Sequence, residues 1–186
     1  MEPAPNLPSE PILAISGSLR RDSINSAALR AAASAAAREG LAVVIDDSPR
    51  ALPHFNPDLD LFPPEVVRRF RRSCAEAGAV LLAVPEYTFG IPGAFKNALD
   101  WLVGSGSLYG KPIAVLHTAA PGRGAHVREA LTHVLRAHNA VVAHYRLPLA
   151  RRDRNTNGEI TDERIVQELG VILKATRHAE RPLRTG

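Results

Sequence analysis

The chain has 186 residues, 45% of them apolar and 23% charged, with a formal net charge of +4. That length and balance describe one soluble globular domain large enough to bury a core. The basic side is arginine-dominated, with Lys96, Lys111 and Lys174 the only lysines, and so small a surplus without interleaved aromatics does not call for nucleic acid. The lone Cys74 excludes an internal disulfide and fits a reducing compartment. The opening MEPAPNLPSEP lacks the basic and apolar regions of a secretory signal. Its prolines predict a disordered arm over residues 1–10, ahead of a single domain over 11–180 and a tail over 181–186. No apolar run approaches the ~20 residues of a membrane span, so the expectation is a cytoplasmic protein with no membrane contact.

In chain order, apolar runs predict strands at Ile12–Ser16, Leu41–Ile45, Ala79–Val84, Pro112–Thr118 and Val141–Tyr145. Helical patterns alternate with them at Asn25–Glu39, Pro64–Ala77, Gly93–Val103, Gly124–His138 and Thr161–Arg177. Gly40 and Gly78 stand where a helix end would need a left-handed residue. Continuously apolar strands are covered on both faces, which means a parallel sheet with helices on either side. Five such units give a doubly wound α/β fold, a five-stranded parallel sheet in the order 2-1-3-4-5. Its ligands bind beyond the carboxyl ends of the strands.

Three loops fall at that edge. The first, GSLRRDSIN at 17–25, follows a strand and opens a helix, an arrangement that aims N–H groups at an anion. Ser18, Ser23 and Asn25 add neutral donors and Arg20 a planar charged fork, a set suited to one terminal phosphate; Ser23 or Asn25 equally serves as a plain helix cap. The second is PEYTFGIPGAFKNALDWL at 85–102, and the third is HTAAPGRGAHVREAL at 117–131. The segment 52–60 also lies at this edge, as a pocket wall or a surface loop.

The first two loops together resemble the NADPH-dependent FMN reductase family, flavodoxin-like proteins that include quinone and chromate reductases. The matching positions are Ser18, Arg20, Ser23 and Asn25, then Pro85, Glu86, Tyr87, Pro92, Gly93 and Lys96 to Leu102. Thr88 stands where the family has Asn. The resemblance covers residues 11 to 175. It implies FMN held by its phosphate at Ser18, Arg20, Ser23 and Asn25, with Pro85, Glu86, Tyr87 and Thr88 bordering the flavin ring. The third loop would lie beside the ring at Ala119 and Gly122, offering backbone N–H groups because Ala119 and Ala120 carry no hydroxyl. The implied activity passes hydride from NADPH or NADH to FMN and on to a quinone, flavin or similar small acceptor, with no catalytic side chain required. It also implies a homo-oligomer, dimer or tetramer, in which Phe95, Trp101 and Leu102 either face a partner or fill the subunit's own core. Readings from other classes are a flavodoxin-like electron carrier and a non-catalytic flavin-binding regulatory module.

Other constellations fall short. His126 and His133 are seven apart, not at a helical metal spacing, and no Cys or carboxylate cluster joins them, so no metal site is expected. His117, at the end of the fourth strand, either modulates the ring's protonation or packs at the strand end. Cys74 sits mid-helix with Val80 six residues on, which is no phosphatase loop. Arg68, Arg69, Arg71 and Arg72 read mostly as a solvated face. RRDRN at 151–155 reads as a polar turn.

Overall fold

The computed structural model describes residues 10–179; most of the arm expected over 1–10 and the whole of the tail expected over 181–186 lie outside them. Five strands alternate with five helices: β1 Ile12–Ser16, α1 Ile24–Arg38, β2 Val43–Asp46, α2 Glu65–Glu76, β3 Ala79–Ala83, α3 Gly93–Val103, β4 Pro112–His117, α4 Ala125–Ala137, β5 Val141–Arg146 and α5 Glu163–Arg177. The strands form one sheet in the order β2-β1-β3-β4-β5, and every pairing is parallel. This is the flavodoxin-like doubly wound architecture. The chain winds outward from β1 in both directions, which makes the β1/β3 boundary the topological switch point.

The strand pleat sorts the core into two layers. Along β1, Ile12 and Ala14 face one layer while Leu13 and Ile15 face the other, and β3 splits the same way into Ala79, Leu81, Ala83 and Val80, Leu82, with Val84 just past its end on the second side. The first layer is built from small side chains. Ala27, Ala28, Ala31, Ala32, Ala35 and Ala36 of α1 are all buried, in one cluster with Ala14, Ala79, Ala83 and Ala114. Alanine opposite alanine lets α1 lie close to the sheet and to α5, and alanine also favours the helix intrinsically. The other layer takes the bulk, with Phe70 and Cys74 of α2, Phe95 and Leu99 of α3, and Leu131 and Leu135 of α4. Among the described residues no helix is long and apolar enough to cross a membrane.

Several expectations change. β2 runs over Val43–Asp46 and not Leu41–Ile45. As an edge strand it leaves Val44 and Ile45 exposed, so its apolar run did not signal burial on both faces. Gly40 has a φ of +67°, as expected at a helix end, but Gly78 does not adopt a positive φ. It is small for another reason: a Cβ there would come within 2.9 Å of Glu10 Cβ. Arg71 departs from the solvated arginine face. Its side chain is 13% exposed and ion-pairs with Asp60. Its Nε donates to Trp101 O at 2.7 Å.

Trp101, Phe95 and Leu102 belong to the subunit's own core, each at most 1% exposed, which removes them as a docking surface. The indole N–H of Trp101 donates to Pro53 O at 2.8 Å. Phe55 meets the Trp101 ring edge-on at 5.0 Å, and Asn97 clamps the same segment through Phe55 N at 2.7 Å and Pro53 O at 2.9 Å. The 52–60 loop is therefore pinned to α3. Trp101→Phe should lower stability by about 1–3 kcal/mol through a lost hydrogen bond and lost volume without changing molecular mass in solution. Urea unfolding and light scattering measure the two; a change in mass at unchanged stability would return Trp101 to an interface.

Candidate functional site

At the switch point β1 and β3 continue into loops that run side by side. Gly17 N donates to Ala83 O at 2.9 Å, and a Cβ on Gly17 would sit 2.7 Å from Val84 Cγ1. Only glycine allows the two strand ends to approach this closely. The loops are then tied by a hydrogen bond of 3.3 Å between Ser18 Oγ and Tyr87 OH.

The first loop forms a groove of about 320 Å³ lined by Ser18, Arg20, Ser23, Asn25, Tyr87 and Arg154, among others. Ser18, Ser23 and Asn25 are buried. Ser23 caps α1, its Oγ accepting from Asn25 N at 3.2 Å. Capping and ligand binding are compatible here, because a hydroxyl that accepts from the helix still has its own hydrogen to donate. Ser18 Oγ likewise accepts from Arg20 N at 3.3 Å. No acidic residue stands in the first turn of α1, so the positive helix end is left open to an anion. Arg20, Arg151 and Arg154 line the groove against a single carboxylate, Asp22, a balance that favours a dianion.

A second cavity of about 380 Å³ adjoins the groove, sharing Ile24, Asn25, Pro85 and Leu149 with it and adding Val84, Glu86, Thr118, Ala119 and Val127. Glu86 reaches across to α4, whose N-cap Gly124 has no side chain, and its Oε2 accepts from Val127 N at 3.0 Å. The carboxylate thus sits on the positive end of a helix. Beyond it the chain turns sharply. Tyr87 N bonds Gly90 O at 3.1 Å and Gly90 N bonds Tyr87 O at 3.0 Å, with Thr88 at φ +48° and Phe89 at φ +58° between them. Two central residues at positive φ mark the hairpin turn that favours Asn. Thr, β-branched, is strained there.

The third loop supplies what its two alanines lack. Thr118 is buried, and its hydroxyl donates to Asn25 Oδ1 at 2.9 Å, fastening the β4 end to the start of α1. His117, beside it, heads a chain of three hydrogen bonds. Thr132 Oγ1 donates to Arg128 O at 2.8 Å, so it must accept from His144 Nε2 at 3.0 Å. His144 Nδ1 is then an acceptor for the Nε2–H of His117 at 2.8 Å. This order requires His144 to be neutral, because its Nδ1 must accept, whereas His117 donates through Nε2 in either protonation state. Burial, then His144 and the cations Arg128 and Arg146, lower the His117 pKa to about 4, and burial and Arg128 lower that of His144. His117 therefore packs at the strand end, neutral, while still lining the second cavity.

Of the residues singled out in the sequence, Ser18, Arg20, Ser23, Asn25, Pro85, Glu86, Tyr87 and Ala119 line one or both cavities. Gly122 lines a smaller hollow of about 120 Å³ beside Arg123, Arg128 and Arg146. Thr88 lines none of these and acts on the turn. Thr118, His144 and Arg154 were not anticipated. In the sequence Thr118 simply closes the run of the fourth strand, and the partners of His144 and Arg154 are set only by folding. Among the described residues no three His, Cys, Asp or Glu side chains gather as a metal site. Cys74 is buried, and burial pushes its thiol pKa well up, so it presents no thiolate at neutral pH.

Thr88→Asn should stabilise the protein by about 1 kcal/mol, since Asn tolerates the left-handed conformation; unchanged or lower stability in urea unfolding would mean the turn is unstrained. For the histidine pair the folded pKa lies below the unfolded one. The unfolded chain therefore takes up protons that the folded chain refuses, and stability falls as pH drops from about 6.5 towards 4. Melting midpoints measured across that window should fall in the wild type and less steeply in His117→Asn; parallel curves would break the assignment.

Comparison with known proteins gives this geometry a family. The sequence profile of NADPH-dependent FMN reductases matches residues 11–150. A 2-hydroxy-1,4-benzoquinone reductase from Burkholderia sp is 38% identical over 116 residues, covering 61% of this chain and 62% of that protein. An NADPH:quinone oxidoreductase of Arabidopsis thaliana is 40% identical over 114 residues, covering 58% and 57%. The chain thus spans about three-fifths of the length of the curated relatives it matches. In structure it is similar to the flavoenzyme NAD(P)H:(acceptor) oxidoreductase of Paracoccus denitrificans, with a TM-score of 0.76 at 28% identity over 90% of this chain and 95% of that one. With the profile covering most of its length and the two loops at the switch point, the chain belongs to the NADPH-dependent FMN reductase family.

Proposed function

We propose that the protein binds FMN tightly without a covalent link and carries hydride from NADPH or NADH to a quinone, a flavin or a similar small acceptor. One observation carries this reading. Two cavities join at the switch point, one lined by hydroxyls and guanidinium groups and the other partly by Val84, Pro85, Val127 and Leu149. A flat ring system with a phosphate tail is the ligand chemistry that joined halves of this kind suit. The quinone acceptors in the names of the Burkholderia and Arabidopsis relatives are the acceptor class we extend to this chain.

When bound, the flavin supplies the two-electron chemistry. The protein's own residues bind and orient. Ser18, Ser23 and Asn25 donate hydrogen bonds to the phosphate and Arg20 neutralises it. Pro85 and Glu86 would border the ring through backbone groups, while the Glu86 carboxylate accepts from Val127 N at the start of α4. Tyr87 walls the rim, Thr88 sets the turn behind it, and Ala119 and Gly122 offer backbone N–H groups. No side chain is assigned as acid or base.

A second copy of the chain completes the pocket, giving a dimer or tetramer. Phe89 supports this: its ring meets His126 edge-on at 5.0 Å yet stays 75% exposed in the loop after β3, and a large exposed aromatic beside a shallow site suits a partner's wall. The reduced thiol Cys74 and the use of NADPH suit the cytoplasm.

The test is the absorption spectrum of the purified protein, followed by NADPH added under argon. The reductase reading expects a yellow protein that bleaches rapidly and recovers when a quinone is added. A yellow protein that bleaches slowly would indicate an electron carrier, and one that takes up no FMN would overturn the proposal.

A further inference from the structure

We propose that Arg154 is a second, preorganised anchor for the phosphate of the bound mononucleotide, and that it contributes more to phosphate affinity than Arg20. The inference rests on reading the joined cavities as an FMN site. Arg154 follows a single 3-10 turn at Arg151–Asp153, beyond the 11–150 span that the family profile matches. In the sequence it is one arginine of a polar turn. In the fold its side chain is 11% exposed and lines the groove with Ser18, Ser23 and Asn25.

Its bonding is incomplete. Nη1 donates to the backbone O of Asp22 at 3.3 Å. The Asp22 carboxylate is 4.0 Å away and 75% exposed, too far out in solvent to neutralise a buried guanidinium. Nε is the one buried side-chain nitrogen or oxygen among the described residues with no hydrogen-bond partner. A buried, charged N–H without an acceptor is costly and rare in native proteins, and a missing ligand is a usual reason for one. The acceptor that fits is an oxyanion, because the same groove holds spare hydroxyl donors and the open positive end of α1.

Arg20 and Arg154 then divide the work unequally. Arg20 is exposed, and none of the described hydrogen bonds involves its side chain, so fixing it on a phosphate costs rotamer freedom. Arg154 is already held by packing and by Asp22 O, so less freedom is lost per bond formed. A phosphate monoester dianion meets both forks, one rigid and one mobile.

The experiment titrates the flavin-free full-length chain with FMN and with riboflavin, which has the ring but no phosphate. Wild type is compared with Arg154→Gln, Arg154→Lys and Arg20→Ala. Arg154→Gln should weaken FMN about 10- to 100-fold, the range of a lost charge-assisted contact, with riboflavin affinity unchanged. Arg154→Lys should recover only part of the loss, since a point charge replaces the fork, and Arg20→Ala should cost less than Arg154→Gln. Equal losses for FMN and riboflavin would assign Arg154 to holding the loop and overturn the inference, as would FMN binding unchanged in Arg154→Gln. A wild type that binds neither flavin would overturn the FMN reading itself, whereas tight FMN binding in wild type and variant alike would remove only Arg154. Should Arg154→Gln fail to fold, Arg154→Lys keeps the charge and carries the same FMN-to-riboflavin comparison.

Discussion

The site depends on how closely the ends of β1 and β3 approach. Gly17, with no Cβ, lets Val84 sit where a side chain would otherwise stand, and the Gly17 N to Ala83 O bond holds the strands in register past their ends. Two loops then leave the sheet side by side. A larger residue at 17 would part them, and the Ser18 to Tyr87 hydrogen bond at 3.3 Å would be lost. Because the chain winds away from β1 in both directions, no helix covers this gap, and the gap is where the two cavities join.

Charge is arranged around that gap by moving carboxylates and protons out of it. Glu86 lies in the second loop, where a free carboxylate would repel an anionic ligand, but α4 takes it up at Val127 N. Asp22 stays 75% exposed, where water screens it. His117 and His144 point the hydrogen-bond chain outward to Arg128 O and stay neutral. Apart from Asp22, the polar groups that line the groove are mostly donors: hydroxyls, guanidinium groups and a helix end without an acid. That arrangement makes the groove selective for negative charge.

The fold and the line-up of its three loops were legible in the sequence, because continuous apolar runs between helical patterns leave few topologies open. The loop after β1 was legible too, since strand, short polar turn and helix are adjacent in sequence and Ser23 caps the helix as its type suggests. What escaped involves partners far apart in the chain. Thr118 meets Asn25 across 93 residues and Arg154 meets Asp22 across 132, and no local pattern encodes such pairs. Trp101 is ambiguous in the sequence for a different reason, and the structure decides for the core. An amphipathic helix shows which face is apolar, not what covers it, and here Pro53 and Phe55 cover it. The α2 arginines misled for a related reason. Arg71 resembles its neighbours in sequence, yet it alone of the α2 arginines bonds the Trp101 carbonyl and Asp60.

The positions that break local rules are not scattered. Among the described residues the three non-glycine residues at positive φ are Thr88, Phe89 and Asn139, of which Asn139 follows α4, where a left-handed Asn is an ordinary helix end. The other two form the turn beside the cavity. The partnerless Nε belongs to Arg154, which lines the groove together with Tyr87, the residue before that turn. The sheet, by contrast, packs alanine and branched residues in unstrained parallel pairs. Local choices that conflict with folding persist when something other than folding retains them. Here the conflicts fall on the loops after β3 and β5, both at the carboxyl edge of the sheet. Their clustering marks that edge as the working part of the molecule, independently of any motif.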